Sequence, residues 1–454
     1  MITLVDNNLN INNNENTRPR KEIECLFPIS GVTIGELCKQ NENLLVFPHC
    51  LNDFEDDADK SPIFSLVNIA DPEKVKIETG NIMGFFGLGD KKIKIKSRFD
   101  QRRDDYFLHY MLQKVFSFNL FDLKHNSEKE NVFDFILFMF PFFLKKAMQQ
   151  GIYREYKRFR YNDSKVKGSI DVGRHIQKNI PFTGKITYST REYSYDNNMT
   201  QLIRHTIEYL KSKKNGQEIL NVDRETIDDI HLIQEHTASY KKEERSKIIM
   251  NNLRPVSHPY FSEYRPLQKL CLQILRNEEI KFGYDPDETY GLLFDGAWLW
   301  EEYVNTILQP LGFKHPRNKK LEGPIYLFRD FNEQDGKYHL SGKRFPDYYQ
   351  EGECVLDAKY KRLGSYDKVS KVDRNDIHQV ITYMNKLEVK KGGFIAPIEL
   401  PQAIVPTSSI VGMTEGTLSI YGILISPIND SFEKFAADMS LNENTFIKQL
   451  GYTF

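Results

Sequence analysis

Two carboxylates and a lysine, arranged on what reads as a β-hairpin, constrain this chain more than any other feature. Phe345-Pro346-Asp347 is followed shortly by Asp357-Ala358-Lys359. Lys337 to Tyr349 reads as one extended run, Gln350 to Glu353 holds a glycine at a turn, and Cys354-Val355-Leu356 leads into Asp357 as a second strand. Side chains alternate along a strand, so Asp357 and Lys359 share one face, Leu356 and Ala358 take the other, and Asp347 enters from the neighbouring strand. Carboxylate oxygens suit a hard cation such as Mg²⁺. A lysine beside them orients an attacking water and offsets charge building on a phosphate. The spacing therefore predicts magnesium-dependent phosphodiester hydrolysis. Asp90/Lys92, Asp163/Lys165 and Glu388/Lys390 repeat the acid-x-Lys spacing, but each lacks the upstream Pro-Asp, the apolar lead-in or the following helix.

Two helices flank this hairpin. Ala297 to Val304, continuing through Ile307, Leu308 and Leu311, has the period of an amphipathic helix and offers Glu301 as a third carboxylate. The alternative is that Glu301 and Glu302 are its solvated side. Asp376 to Tyr383 is again helical, with Gln379 and Tyr383 one turn apart on one face, where they would reach a DNA phosphate or the attacking water. A core tyrosine beside a surface glutamine is the other reading. His378 has no second His or Cys at metal-ligand spacing and reads as an ordinary histidine. Lys391 to Pro397 makes a turn and a further buried strand.

The order Glu301, Pro346-Asp347, Asp357-Ala358-Lys359, Gln379-xxx-Tyr383 resembles the PD-(D/E)XK nuclease superfamily, in its branch with a Gln-xxx-Tyr helix. Three further stretches, Gly151 to Tyr156, Val166 to Val172 and Tyr195 to Ile203, resemble the middle region of the McrC family, the nuclease subunits of McrBC-type restriction systems. Gly84 to Phe99 resembles that family nearer its start. Two departures stand out. The first seventy or so residues are longer than a typical member's, leaving open a specificity closer to LlaJI-like relatives, and Lys167-Gly168-Ser169 replaces the more usual Arg-Gly-Arg.

The resemblance implies an α/β chain ending in a PD-(D/E)XK fold, a mixed central sheet flanked by helices. It implies a metal-dependent DNA endonuclease subunit of a type IV or McrBC-like restriction system, with Asp347, Asp357, Lys359, Glu301, Gln379 and Tyr383 as its catalytic set. Glu301, Asp347, Asp357 and the Ala358 carbonyl would hold Mg²⁺ or Mn²⁺. It also implies a hexameric, McrB-like AAA+ GTPase acting in trans, whose hydrolysis this chain stimulates, and a pairing of two nuclease subunits for a double-strand break. Two rival readings are a DNA-guiding activator with a degenerate nuclease centre and an autonomous RecB-like repair nuclease.

Charge leaves DNA affinity to local patches, because 62 basic side chains are balanced by 63 acidic ones. One patch is Lys92, Lys94 and Lys96, continued by Arg98, Arg102 and Arg103. Another is Arg154, Lys157, Arg158 and Arg160 with Lys165, Lys167 and Arg174, interleaved with Tyr153, Tyr156, Phe159 and Tyr161. Either patch also reads as a solvated charged surface. No Gly-xxxx-Gly-Lys-Ser/Thr occurs, so no nucleotide is expected on this chain, and Gly84 to Asp90 reads as tight turns between strands. The five cysteines form no CxxC pair and read as reduced thiols. With no signal peptide evident, and with the most apolar run, Val132 to Leu144, too short for a membrane span and read as a core helix, a cytoplasmic enzyme is expected.

The sequence predicts four segments: a disordered start over 1–20, a strand-rich domain over 21–115 with an acidic loop at Asp53 to Asp59, a mainly helical middle with partner or DNA contacts over 116–284, and the nuclease domain over 285–454.

Overall fold

Ile2–Val5 forms a strand (β1) rather than a disordered start. The reason is its apolar alternation: Leu4 is fully buried, and its register partner Ile95 lies in the parallel strand Lys91–Lys96. The Asn16 carboxamide accepts from the Val5 N–H at 2.9 Å and donates to the Val5 carbonyl at 3.0 Å, so a side chain supplies the bonds of a strand partner. This computed structural model describes residues 2–8, 16–41, 44–48, 60–67, 71, 73–88, 91–100, 105–116, 137–213, 216–279, 289–316, 323–332, 335–413, 415–428 and 430–451. Most of the Asn-rich run, the acidic run Asp53 to Asp59 and residues 132–136 lie outside the described residues.

Two units are distinguished, one of Met1–Asn126 with Tyr284–Phe454 and one of Ser127–Gly283. The first begins with β1 and continues through β2 (Thr17–Pro19), β3 (Leu44–Phe47), β4 (Phe64–Val67), β5 (Lys74–Thr79), β6 (Ile82–Leu88) and β7 (Lys91–Lys96). Strands β2, β5 and β4 form an antiparallel sheet in that order. The second unit carries the helices Phe140–Met148, Val172–Asn179, Asn198–Lys211, Arg224–His236, Arg245–Asn251 and Tyr264–Glu279. It also carries β8 (Glu155–Asp163), β9 (Ser169–Ile170) and β10 (Ile186–Ser194), ordered β8-β10-β9.

The chain then returns to the first unit through β11 (Thr289–Asp295), which inserts between β6 and β3 in the sheet β1-β7-β6-β11-β3. The strand that leads into the Glu301 helix thus belongs to the N-terminal sheet, so 21–115 and the region after 285 share one sheet. Gly84 and Gly291 permit this insertion. Gly84 has φ +130°, and a Cβ there would lie 2.3 Å from the Leu292 carbonyl oxygen; one on Gly291 (φ +157°) would lie 2.5 Å from that of Phe85. Gly84 and Gly87 are therefore strand interior, not turns, and glycine serves the close approach of two backbones.

Next come β12 (Ile325–Asn332) and β13 (Lys337–Arg344), an antiparallel pair, then β14 (Tyr348–Gln350) and β15 (Cys354–Ala358). The run expected from Lys337 to Tyr349 is thus broken at Phe345-Pro346, where proline has no N–H for a ladder. Strands β16 (Lys391–Ile398), β17 (Thr407–Ser409) and β18 (Thr417–Leu424) complete a mixed sheet, β14-β15-β16-β18-β17, with β15, β16 and β18 parallel. The helix Arg374–Leu387 packs Val380, Tyr383 and Met384 into a core with Val355, Phe394, Ala396 and Ile420. Full burial of each such aliphatic or Phe side chain contributes about 1.5–3 kcal/mol. The helix Gly296–Leu308, capped by Asp295, is pinned to β16 by the Trp300 indole N–H donating to the Ile395 carbonyl at 3.2 Å. Helices combined with mixed sheets make this an α/β protein. Among the described residues no helix is long and apolar enough to cross a membrane.

Candidate active site

The antiparallel register Tyr348↔Leu356 turns Asp347 across β15, where its Oδ2 accepts the Ala358 N–H at 2.7 Å. Asp357, one residue earlier, is buried at 1% exposure. Its Oδ2 lies 2.7 Å from the Lys359 ammonium, while its Oδ1 has no hydrogen-bond partner. Lys359 also stands 3.3 Å from Asp376 Oδ1 and donates to Gln379 Oε1 at 3.4 Å. The Gln379 amide then donates to the Tyr383 hydroxyl at 2.9 Å, and that hydroxyl donates to the Phe345 carbonyl at 3.3 Å. Lys359, Gln379 and Tyr383 thus close a loop of contacts back to the peptide that precedes Pro346-Asp347.

Two further side chains, Asp376 and His315, join this cluster without a signal in the sequence. Asp376 sits in the first turn of a helix capped by Asp373, a place where an acid is expected for helix stability alone. It ion-pairs with both Lys359 and Lys361, the latter at 2.6 Å, and shares the helix face of Gln379 and Tyr383. His315 lies in a loop, its Nδ1 2.7 Å from the Asp347 carbonyl and its ring stacked on Tyr348. A lone loop histidine carries no periodic signal.

Glu301 lies beside this set: its Oε1 is 3.8 Å from His315 Nε2, and its backbone carbonyl accepts the Tyr348 hydroxyl. Among the described residues no three His, Cys, Asp or Glu side chains are gathered closely enough to hold a metal by themselves. The structure therefore joins Asp347, Asp357, Ala358, Lys359, Gln379 and Tyr383 and leaves Glu301 at the edge, short of a closed three-carboxylate cage.

Burial, then the Asp357 and Glu301 carboxylates, push Asp347 well above the usual carboxyl range. Burial also raises Asp357, against the pull of Lys359. Loss of hydration works against the Lys359 charge, but Asp357, Asp347 and Asp376 outweigh it and hold the ammonium above its ordinary range. Lys359 is consequently a cation at neutral pH and serves as a charge and donor, not as a base. An unpartnered buried oxygen on Asp357, with Asp347 close by, fits a hard cation. Mg²⁺ commonly takes one or two carboxylates and completes its shell with water and substrate phosphate, so a closed protein cage is not required.

The two basic patches fare differently. Lys94 is drawn into an ion pair with buried Asp105, Lys96 donates to the Asp100 carbonyl at 3.4 Å, and Arg98 pairs with Asp6 at 2.8 Å. These three serve the fold and present no open stripe to DNA. The Lys92 side chain and Arg102 and Arg103 fall outside the described residues. The patch around Arg158 is exposed along alternate positions of β8.

A family model described as "McrBC 5-methylcytosine restriction system component" matches residues 77–397. Among solved structures, a half-complex from a tetradecameric assembly of Thermococcus gammatolerans McrB AAA+ hexamers with bound McrC is similar at 15% identity. That match covers 97% of this chain and 99% of the other, with a TM-score of 0.42. The Thermococcus gammatolerans McrBC complex determined by cryo-electron microscopy is similar at 15% identity over 68% of this chain and 87% of the other, with a TM-score of 0.31. No curated protein matches.

Proposed function

This chain belongs to the McrBC 5-methylcytosine restriction system component family, and on that premise we propose that it is the DNA-cutting subunit of such a system, a Mg²⁺-dependent endonuclease with a PD-(D/E)XK centre. The observation that carries this reading is the buried Asp357 with one open oxygen, 2.7 Å from a lysine kept charged. Asp347 and Asp357, with the Ala358 carbonyl and Glu301 from the side, would hold the ion. When bound, the ion polarises the phosphoryl oxygen and lowers the pKa of water. Lys359 faces the site as a fixed cation that offsets charge growing on the phosphate. Asp376 and Gln379 hold that ammonium in place, and the bond from Ala358 to Asp347 keeps the two carboxylates in register. A McrB-like AAA+ GTPase, proposed from family membership, would bring DNA to this centre.

The test is cleavage of methylated and unmethylated circular plasmid with Mg²⁺, with and without the AAA+ protein encoded beside this chain and GTP. Cutting is expected only with partner and GTP, and its dependence on methylation names the trigger. Cutting by the isolated chain would instead identify an autonomous nuclease, and faster GTP hydrolysis without any cutting would make the chain a motor activator.

The raised carboxyls give a prediction readable without turnover. Burial holds the Asp347 carboxyl well above its ordinary range, and a bound cation would favour its ionised form, so Mg²⁺ binding should release protons and tighten with rising pH. Calorimetry in two buffers of different ionisation enthalpy should show this linkage, and Asp347→Asn should remove most of it. Affinity that does not change with pH would dissociate Asp347 from the ion.

A further inference from the structure

On β8 every second side chain points to the same side: Tyr156, Arg158 and Arg160 are exposed, and so is Arg154, just before the strand. The β10 register adds Tyr193 opposite Tyr156 and Arg191 opposite Arg158, both exposed. The two tyrosines stack at 3.9 Å, with Arg154 over the Tyr193 ring at 5.0 Å and Arg191 over Tyr156 at 5.9 Å. One face of this sheet therefore displays four arginines and a tyrosine pair. Among the described residues none of the four arginines is ion-paired to a carboxylate; Arg158 donates only to the Ser189 hydroxyl, at 3.1 Å.

Arg158 and Arg191 are direct cross-strand partners, and like charges in that position weaken a sheet. The opposite side shows the usual solution, Lys157 across from Glu192 and the Tyr188 hydroxyl donating to Asp163 at 3.1 Å. The Val172–Asn179 helix covers only the far end, where Asn179 bonds Asn162 and Thr187. Gly168 lies against β10 so closely that a Cβ would stand 2.3 Å from the Ser189 carbonyl oxygen, which secures the neighbouring edge. A repulsive arginine face flanked by well-satisfied structure calls for an anion spaced like a polymer, since alternate strand residues are about 7 Å apart.

We propose that this face of β8 and β10 binds the phosphodiester backbone of DNA, with Arg154, Arg158, Arg160 and Arg191 on phosphates and Tyr156 and Tyr193 available to stack on an unpaired base. This rests on the reading that DNA is the substrate, and it adds a binding surface separate in sequence from the hydrolytic residues. Sequence inspection named Arg154, Arg158, Arg160 and Tyr156 but also Lys157, which faces the other way. It could not name Arg191 and Tyr193, which only the β10 register supplies.

The test is fluorescence anisotropy of the full chain with a labelled oligonucleotide, single-stranded and as duplex, over a salt series. Arg158→Glu/Arg191→Glu should weaken binding about tenfold or more and flatten the salt slope by about two, because each lost phosphate contact removes roughly 0.9. Arg158→Lys/Arg191→Lys should retain most of both. Tyr156→Ala/Tyr193→Ala should weaken the single strand more than the duplex. If the charge-reversed variant does not fold, as judged by circular dichroism, Arg154→Gln/Arg160→Gln at exposed positions reads the same surface. Wild-type affinity and salt slope in a folded variant of either pair would overturn the proposal. So would intact DNA binding with lost stimulation of the AAA+ partner, which would make this a protein interface. The assay is run without Mg²⁺ and reads binding without turnover, so that failure of the cleavage reading and failure of this one are told apart.

Discussion

Replacing Lys359 with alanine is expected to reduce plasmid cleavage in the assembled system by two to three orders of magnitude, about what removal of one preorganised transition-state donor costs. Binding of DNA should not change. The substitution also has a stability signature, because Lys359 is the cation against which buried Asp357 is balanced. Without it, burial and Asp376 act on Asp357 with no opposing charge from that position, and the already raised folded-state pKa rises further. A carboxyl with its folded pKa above its unfolded value contributes stability that is full below the unfolded pKa and is lost as pH rises through the folded one. Lys359→Ala should therefore lie close to wild type in acid and fall below it as pH increases, by up to about 3–5 kcal/mol once Asp357 is forced to ionise. Urea denaturation at mildly acidic and mildly alkaline pH measures the difference. Asp357→Asn/Lys359→Ala should recover most of the stability and none of the cleavage. Cutting within tenfold of wild type by Lys359→Ala would remove this lysine from the active centre.

What the sequence disclosed about this site follows from the range of the interactions involved. Period two along one short strand suffices to associate Asp357 with Lys359, and a four-residue helical step suffices for Gln379 and Tyr383. Asp376 needs the packing of a helix onto β15, and His315 needs a loop to fold back on Asp347. Neither contact leaves a local pattern. The same limit explains the two larger misreadings. Alternation placed Lys94 and Lys96 on one face, but whether that face is open depends on Asp105, Asp100 and the placement of the sheet. The boundary at about residue 285 coincides with the end of the second unit, but chain order sets 21–115 apart from the region after it, whereas β11 pairs with β3 and β6 far upstream. Pairings at that distance are set by buried surface and by glycines such as Gly84 and Gly291 that allow close approach, and no window of adjacent residues contains them.

The second large effect concerns how the Glu301 helix is held, and it is predicted for Glu443, a residue with no part in the chemistry. Glu443 is buried at 6% exposure in the helix Phe432–Gln449. Its Oε1 accepts both the Tyr110 and the Tyr303 hydroxyls at 2.8 Å, and its Oε2 pairs with Lys114 at 2.9 Å. One carboxylate therefore ties its own helix to two others, satisfying groups from Tyr106–Phe116 and Gly296–Leu308. Burial, followed by the negative charge of Glu443, raises both phenols above their ordinary range, so both remain donors at any working pH. Glu443→Ala would strand two buried hydroxyls and a lysine, at a cost of about 3–5 kcal/mol in the urea unfolding of this unit. Converting the whole cluster should behave otherwise. In Glu443→Leu/Tyr110→Phe/Tyr303→Phe the buried donors disappear with their acceptor, and Lys114, already one-third exposed, can turn to water. That triple variant should be clearly more stable than Glu443→Ala, since apolar replacement of all buried partners can be nearly neutral. If the two are equally unstable, the loss comes from helix packing and not from unsatisfied polar groups. Cleavage by the triple variant then reports on position alone. The Gly296–Leu308 helix would keep its Trp300 bond to β16, and activity near wild type would show that this bond and apolar packing suffice to hold Glu301 beside Asp347.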